Sequence, residues 1–473
     1  MSPQHPTSKT TIYLDQPPSC LQFCPASPNN LVIGTYLLSE IKESESSIQQ
    51  TKTGSLQLWN LNPESHTLKK LSHHHIPAAV FNLHFHPRNP QILAIATSDA
   101  RISLFAVSEE TGFTHLSSHE VHEDPSIPAL FLAWMPENFL RGPPGPGPGD
   151  GFAVTFSDGR TGVFEVDVGA VADRANASAN ANANANADAK ANDGNDDQIE
   201  KGEPVSELAT ISAKQPIEVW FVALASYPAA NPTVSEETQE EEEEEKKKKK
   251  KYTPYLFTGN DFGTLQTTRF EDVEPAGTSS IHGGNEEDES PGNLPATIST
   301  IDDRARHHTA GVTSILPLGE IPLSSTGGEP LILTGSYDEC LRVYHARGRG
   351  DVIAEEGLGG GVWRLQVLRS SASASAAVSA GEGEQEEVWT FLVLASCMHA
   401  GTRVVRVTVT TRGEGEPGAE IEVLAEFTEH ESMNYASDVW RATGMGEVDD
   451  SEEMLVVSSS FYDRRVCVWR VKV

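Results

Sequence analysis

A chain of 473 residues with a formal net charge of −33 is not built to grip nucleic-acid backbones, which demand basic surface. Its acidity suits a basic partner face or a cationic substrate, and 38% hydrophobic residues with seven Trp and 17 Phe are enough for a core. Five cysteines without a CxxC pair, no apolar run of bilayer length and a polar, Pro-rich start point to a soluble protein of a reducing compartment, cytoplasmic or nuclear, with no membrane role.

In chain order, KTTIYLD near the N-terminus is a lone strand with no hairpin of its own. Beyond it helical periodicity is nearly absent, and short β-branched and aromatic runs bounded by Gly, Pro, Asn and Asp recur to the end. A turn residue followed six positions on by a strand-closing residue appears as Thr53/Trp59, Asp99/Phe105, Asp158/Phe164, Asp338/Tyr344, His399/Val405 and Asp463/Trp469. Asp261 keeps the turn but puts Thr267 at the closing position. Further apolar strands accompany these hairpins: AAVFNLHFHP, IPALFLAWMP, IEVWFVALA, AGVTSILP, GGVWRLQVL and YASDVWRA. Three or four strands per repeat, seven times over, predict an all-β, seven-bladed β-propeller. The final RRVCVWRVKV leaves the last blade one strand short, so the N-terminal strand is expected to complete it and remove two open edges.

One propeller over residues 1–473 is therefore expected, with low-complexity insertions explaining turns spaced beyond the usual ~40–45 residues. RGPPGPGPGDG is a loop, and 172–200 is an Ala/Asn-rich insertion too polar to pack. Within the Glu/Lys-rich insertion 234–251, Glu240–Glu245 followed by Lys246–Lys251 suit a solvated helix with Glu-to-Lys pairs, a reading favoured over a docking tail. Residues 271–300 form a flexible acidic insertion, and 370–387 a flexible Ser/Ala/Glu-rich loop.

No GxSxG, HExxH or GxxxxGK[ST] motif is present, and such motifs would be needed to assign a chemistry directly. The histidines of SHEVH (118–122) are weak metal candidates, and His73–His75 are expected at a solvated connection between blades. No metal site is expected. A propeller serves scaffolds and enzymes alike.

The C-terminal half is more specific. LILTGSYDECLRVY, GGGVWRLQV, VLASCMHAG, HESMNYASDVWR and SSSFYDRRVCVW resemble, in that order, the diphthine methyl ester hydrolase family, WD-repeat proteins of diphthamide biosynthesis. HHTAGVTSI and LFTGNDFGTLQ resemble it too. The likeness covers about residues 250–473, and the first 170 mostly through the repeat pattern. Where the family writes a Trp-Asp-Thr-Arg strand end, this chain has YHARGRG, which loosens the usual pairing there. The resemblance implies a WD-repeat propeller that hydrolyses the methyl ester of methylated diphthine, a modified histidine of translation elongation factor two, giving diphthine and methanol. It implies a carboxylic ester hydrolase with no cofactor and with the modified elongation factor as partner; oligomeric state is not implied. The alternative is a non-catalytic WD-repeat scaffold.

Against that expectation, the turn residues divide. Asp99, Asp158, Asp261, Asp338 and Asp463 are expected to satisfy turn backbone and a loop histidine, with His308 as one such histidine. His399 replaces the carboxylate with a group suited to proton transfer near neutrality; a structural bond to a different partner is the alternative. Cys397, two residues earlier, could be a nucleophile or a small hydrophobe. Ser432 with His430 or His399 could pair as nucleophile and base, or order the loop. A quaternary trimethylammonium cannot donate a hydrogen bond and is best held by aromatic faces beside carboxylates. Candidates are Tyr337 with Asp338, Tyr462 with Asp463, and Trp363, Tyr435, Asp438 and Trp440; core packing is the alternative for each.

Overall fold

A computed structural model of the chain describes residues 2–44, 47–141, 149–171, 204–229, 251–274, 293–375, 386–412, 415–442 and 453–472. The expected insertion 172–200 lies outside these residues, as do 234–250 and the middle of 271–300 and of 370–387. The described ends of the last two are largely strand. Thr297–Asp302 is an outer strand, and residues 370–375 continue a hairpin, Ser370 opposite Phe391 and Ser375 opposite Glu386.

The strands form seven sheets whose innermost strands are neighbours around a ring, a seven-bladed β-propeller. From the axis outward, blade 1 runs Pro18–Cys24, Ser27–Thr35, Ser47–Asn62, Thr67–Ile76. Blade 2 is Val80–Phe85, Ile92–Thr97, Arg101–Ser108, Gly112–Glu120, and blade 3 is Ala129–Trp134, Gly151–Phe156, Arg160–Val166, Val205–Ser212. Blade 4 is Val219–Pro228, Tyr252–Asn260, Leu265–Phe270, Thr297–Asp302, and blade 5 is Val312–Pro317, Leu331–Ser336, Cys340–His345, Asp351–Gly357. Blade 6 is Arg364–Ser375, Glu386–Ser396, Thr402–Arg412, Gly418–Phe427. Blade 7 takes Asn434–Val439, Met454–Ser460 and Arg465–Val471 from the C-terminus, and Ser8–Tyr13 closes it as expected, Thr11 opposite Cys467.

Six of the seven expected hairpin turns are present, at Asp99, Asp158, Asp261, Asp338, His399 and Asp463. Thr53 is not a turn: it pairs with Leu37 inside an additional hairpin, Leu37–Ser44 with Ser47–Asn62. The turn leaves the second strand of blade 1 at Thr35, eighteen residues earlier in the chain than Thr53. His73–His75, expected at a connection, lie in the outer strand of blade 1. Among the described residues no helix is long and apolar enough to cross a membrane.

The core lies between adjacent sheets. Leu56 and Leu58 of blade 1 pack with Leu93, Ile95 and Phe105 of blade 2, and Leu392, Leu394 and Phe427 of blade 6 with Val456 and Trp469 of blade 7. Polar struts tie the connecting segments to the blades that follow them. The Trp469 indole donates to Ser458 Oγ at 3.0 Å, the same hydroxyl lies 2.8 Å from His430 Nε2, and Asp463 accepts the Glu431 N–H. Blade 5 repeats the plan: His308 Nε2 lies 2.9 Å from Thr334 Oγ1, and Asp338 accepts the Thr309 and Cys340 N–H groups and the Arg342 guanidinium. Asp158, Asp338 and Asp463 thus satisfy backbone groups as expected, and His122 is the loop histidine that meets Asp158. Asp99 instead accepts from the Thr97 hydroxyl and Asp261 from the Trp220 indole, and His308 bonds Thr334 with its Nδ1 3.7 Å from Asp303 rather than meeting Asp338.

One irregularity recurs. The second residue of the inner strand is skipped in the pairing register at Ser19, Phe81, Leu130, Trp220, Thr313 and Tyr435. A β-bulge re-aims a side chain, and here it brings Phe81, Trp220 and Tyr435 to one mouth of the central channel, whereas Leu130 is buried. Trp363 stands at the same place in blade 6, its N–H donating to Ser396 O.

Two outcomes test this frame. Trp469→Ala removes a fully buried indole and its strut, and should cost about 3–5 kcal/mol, read as a lower urea midpoint; an unchanged midpoint would show that the strut is dispensable. Burial lowers His430 to about 4 from its ordinary 6.5. Between those values the unfolded chain binds the extra proton, so the His430 contribution is complete above pH ~6.5 and is lost as pH falls toward 4, about 3 kcal/mol in all. His430→Asn should flatten the urea midpoint against pH across that window; an unaltered slope would assign the acid sensitivity to other groups.

Candidate functional site

The aromatic residues delivered by the bulges meet a second set, the first residue after the second strand of each blade. Tyr36, Asp261, Tyr337 and Phe461 occupy that place, each donating its N–H to a carbonyl just before the inner strand: Pro17, Glu218, Gly311 and Met433. The repeated backbone bond brings the two sets together. Ring centroids follow one another without a break: Phe81–Tyr36 5.4 Å, Tyr36–Phe461 5.8 Å, Phe461–Tyr435 5.5 Å, Tyr435–Trp363 5.0 Å. Trp363 then contacts Tyr337 at 5.9 Å and Trp220 at 5.7 Å, and Trp220 contacts Tyr337 at 6.2 Å. All seven are partly exposed, forming an aromatic crown at the channel mouth.

Small side chains make this possible. Thr313 takes the bulge position of blade 5, tying its hydroxyl to the Val362 carbonyl at 2.6 Å, and so leaves room for Trp220 of blade 4 to reach Trp363 of blade 6. Gly311 and Gly361 flank Tyr337. A Cβ on Gly311 would stand 2.9 Å from the Tyr337 ring, and one on Gly361 would stand 2.7 Å from Met398 Sδ. Close approach therefore favours glycine at Gly311 and Gly361.

Among the described residues the crown holds a carboxylate in direct contact, Asp261, which accepts the Trp220 indole N–H at 2.7 Å. Burial, then neighbouring Tyr435 and Asp261, keeps the Tyr337 phenol protonated. Aromatic faces beside a carboxylate attract a cation, and most of all one with no N–H to donate.

Behind the crown the channel holds a cation of its own. Arg364 lies with Cζ 4.7 Å from the Phe131 ring, 5.5 Å from Phe221 and 4.7 Å from Trp363. Its Nη1 donates to the Trp363 and Thr313 carbonyls at 2.7 and 3.2 Å. Burial lowers the guanidinium to about 10, so it is charged at neutral pH, and among the described residues no carboxylate lies within ion-pair distance.

The residues expected from sequence fall into three groups. Tyr337, Trp363 and Tyr435 converge in the crown, and Tyr462, 70% exposed, meets Phe461 edge-on at its rim. Asp338 and Asp463 are turned into their blades, bound to Arg342 and beside Arg465, so the carboxylate of the crown is Asp261 instead. Asp438 and Trp440 lie at the other end of their strand: Asp438 is buried, accepting from Phe23 N–H and Gln366, and Trp440 donates to Asn29. Their distance from the turns of the crown follows from six residues of extended chain between Asn434 and Val439.

The four catalytic candidates also part company. Cys397 is buried and hydrogen bonded to Ala395 O, and burial pushes its thiol up to about 12, leaving little thiolate at neutral pH. His430 belongs to the Ser458–Trp469 strut. Ser432 Oγ accepts the Tyr462 N–H, and among the described residues no hydrogen bond joins it to His430 or His399. His399 is 58% exposed on the face that carries the crown, with Nε2 3.9 Å from Glu339. It follows Met398, a residue held at φ +43° whose sulfur abuts Gly361. The SHEVH histidine His122 bonds Asp158 within its blade, and among the described residues no group of three His, Cys, Asp or Glu could hold a metal.

Trp220, Phe461, Tyr36, Phe81, Asp261 as a cage carboxylate, and Arg364 were not singled out in the sequence. The signal was present: Phe81, Trp220, Trp363 and Tyr435 share one offset in the aligned inner strands, and Tyr36, Tyr337 and Phe461 share another.

No family profile matches the chain. Among solved structures it overlaps Sqt1 of Chaetomium thermophilum bound to the N-terminus of ribosomal protein L10, with a TM-score of 0.47 and 12% identity over 98% of this chain and 100% of that one. It is 31% identical over 166 residues, 34% of its length, to a protein of Schizosaccharomyces pombe named diphthine methyltransferase, and 28% identical over 134 residues, 28% of its length, to a human protein of the same name. The matched segments span 38% and 23% of those relatives. Over about a third of its length the chain is thus similar to proteins named diphthine methyltransferase, and the resemblance to the diphthamide-pathway family is carried by that similarity.

Proposed function

We propose that this propeller acts in diphthamide biosynthesis as a carboxylic ester hydrolase, removing the methyl ester of methylated diphthine on translation elongation factor two. The observation that carries the reading is the aromatic crown with Asp261: a trimethylammonium group has its charge spread over methyls, and stacked rings beside a carboxylate fit it. In this reading the modified histidine side chain enters the channel mouth end-on while the elongation factor rests on the surrounding turns. His399, exposed on the same face, takes a proton from water as it adds to the ester carbonyl. The acyl C–O bond to methoxide then breaks, methoxide takes up a proton to leave as methanol, and the carboxylate remains. The relatives' printed name denotes methyl transfer, so the assay must read both directions.

Purified elongation factor two bearing methylated diphthine should release methanol with this protein, and His399→Ala should lower the rate by about a hundredfold or more. Trp220→Ala, removing one face of the cage and the Asp261 hydrogen bond, should lower kcat/KM by about ten- to thirtyfold, chiefly through KM. Equal methanol release by His399→Ala would keep the esterase and dismiss that base. Methyl gain by the unesterified factor when a sulfonium methyl donor is added would replace hydrolysis with methylation, and binding without either reaction would favour a scaffold.

A further inference from the structure

A cavity of about 220 Å³ opens behind the crown, lined by Asn82, His84, Arg364, Tyr435, Ser437 and Asp438, whose carboxylate oxygens already accept from Phe23 N–H and Gln366 Nε2. It contains two unmet needs. Arg364 is a cation stacked on three rings with two carbonyl acceptors and no carboxylate among the described residues. His84 presents a buried Nε2 with no hydrogen-bond partner among the described residues, its ring edge-on to Phe131 at 5.3 Å, the ring that Arg364 covers from 4.7 Å. Burial, then the charge of Arg364, lowers His84 to about 4, so at neutral pH it is uncharged. A buried polar atom without a partner is costly, and a guanidinium without a counter-ion more so. Both are relieved by one small anion placed between them.

We infer that the channel behind the crown is a carboxylate-binding site, with Arg364 and His84 taking the carboxylate of a ligand whose quaternary ammonium lies in the crown. Arg364 offers the planar fork that matches a carboxylate, and the His84 tautomer with its proton on Nε2 adds a third donor. Trp363 touches both halves of the site, its ring facing Tyr435 at 5.0 Å and Arg364 at 4.7 Å. Positive and negative groups held that close suit a betaine-type zwitterion, in which both sit on one short carbon skeleton. The inference rests on the crown as a quaternary-ammonium cage and deepens it: the product acid of ester hydrolysis carries both charges, whereas the ester carries one. The same donors face the oxyanion that forms when water adds to the ester.

Glycine betaine, its methyl ester and acetate, titrated into the full chain with tryptophan fluorescence and ligand-observed NMR as readouts, separate the two halves. Betaine should bind about tenfold more tightly than its methyl ester, Arg364→Gln should erase that preference while keeping ester binding, and Arg364→Lys should keep part of it. Should Arg364→Gln not fold, the wild-type comparison of betaine with ester stands alone. Equal affinity for betaine and ester, or a preference that survives Arg364→Gln, overturns the carboxylate site and leaves the crown. Acetate bound without either quaternary ligand overturns the crown and leaves the carboxylate site, and no binding at all overturns both.

Discussion

The pairing of Ser8–Tyr13 with Arg465–Val471 holds the two ends of the chain in one blade, and every feature of the channel mouth depends on it. A propeller blade is a twisted sheet with two edges, and only closure makes the inner strands converge on an axis. The contact most exposed to that closure is Tyr36–Phe461, 5.8 Å across the seam between blade 1 and blade 7. Without the N-terminal strand, blade 7 would present the open edge of Arg465–Val471, and the ring of aromatic contacts would be broken where the chain ends meet.

Given closure, a local backbone device makes the mouth. The same residue position is skipped near the start of six inner strands, and Trp363 stands at that place in blade 6, so the character of the mouth is set by which side chain occupies it. Where the residue is Ser19 or Thr313, its hydroxyl bonds the carbonyl of the next blade, Val80 or Val362, and joins the ring. Where it is Phe81, Trp220, Trp363 or Tyr435, it meets its aromatic neighbours around the mouth, and Leu130 of blade 3 is buried. Scaffold and recognition surface therefore use one structural position with two kinds of residue, which is how a repetitive fold acquires an asymmetric site.

Carboxylates are partitioned in the same way. Asp338 and Asp463 sit in turns that need acceptors for backbone N–H groups, and arginines at the following strands claim their remaining oxygens. Asp261 sits one residue earlier in its turn, in the place Tyr337 and Phe461 take in their blades, because Asn260 meets the backbone's needs there by accepting the Phe262 and Thr264 N–H groups. That one-residue offset releases a carboxylate into the crown. It also explains why the aspartates beside Tyr337 and Tyr462 in the chain are not beside their rings' partners in space.

Much was legible in the amino-acid order. Strand periodicity, the six-residue ruler from turn to strand end and the spare strand at the N-terminus determined a closed seven-bladed propeller, because each depends on neighbours a few residues apart. Tyr337, Trp363 and Tyr435 were recognisable as aromatic candidates for the same reason. Thr53 was misplaced because an additional hairpin imitates a turn while the true one lies at Thr35–Tyr36. What only the tertiary structure decided is which polar groups remain available. His430, Asp438 and Cys397 are consumed by burial and by hydrogen-bond partners, those of Asp438 including Phe23 and Gln366 on other blades. Among the described residues Arg364, by contrast, is left without a carboxylate and His84 Nε2 without a hydrogen bond. Sequence records side chains and their local spacing; whether a charge finds its counter-ion depends on seven strands meeting at an axis, from segments separated by hundreds of residues.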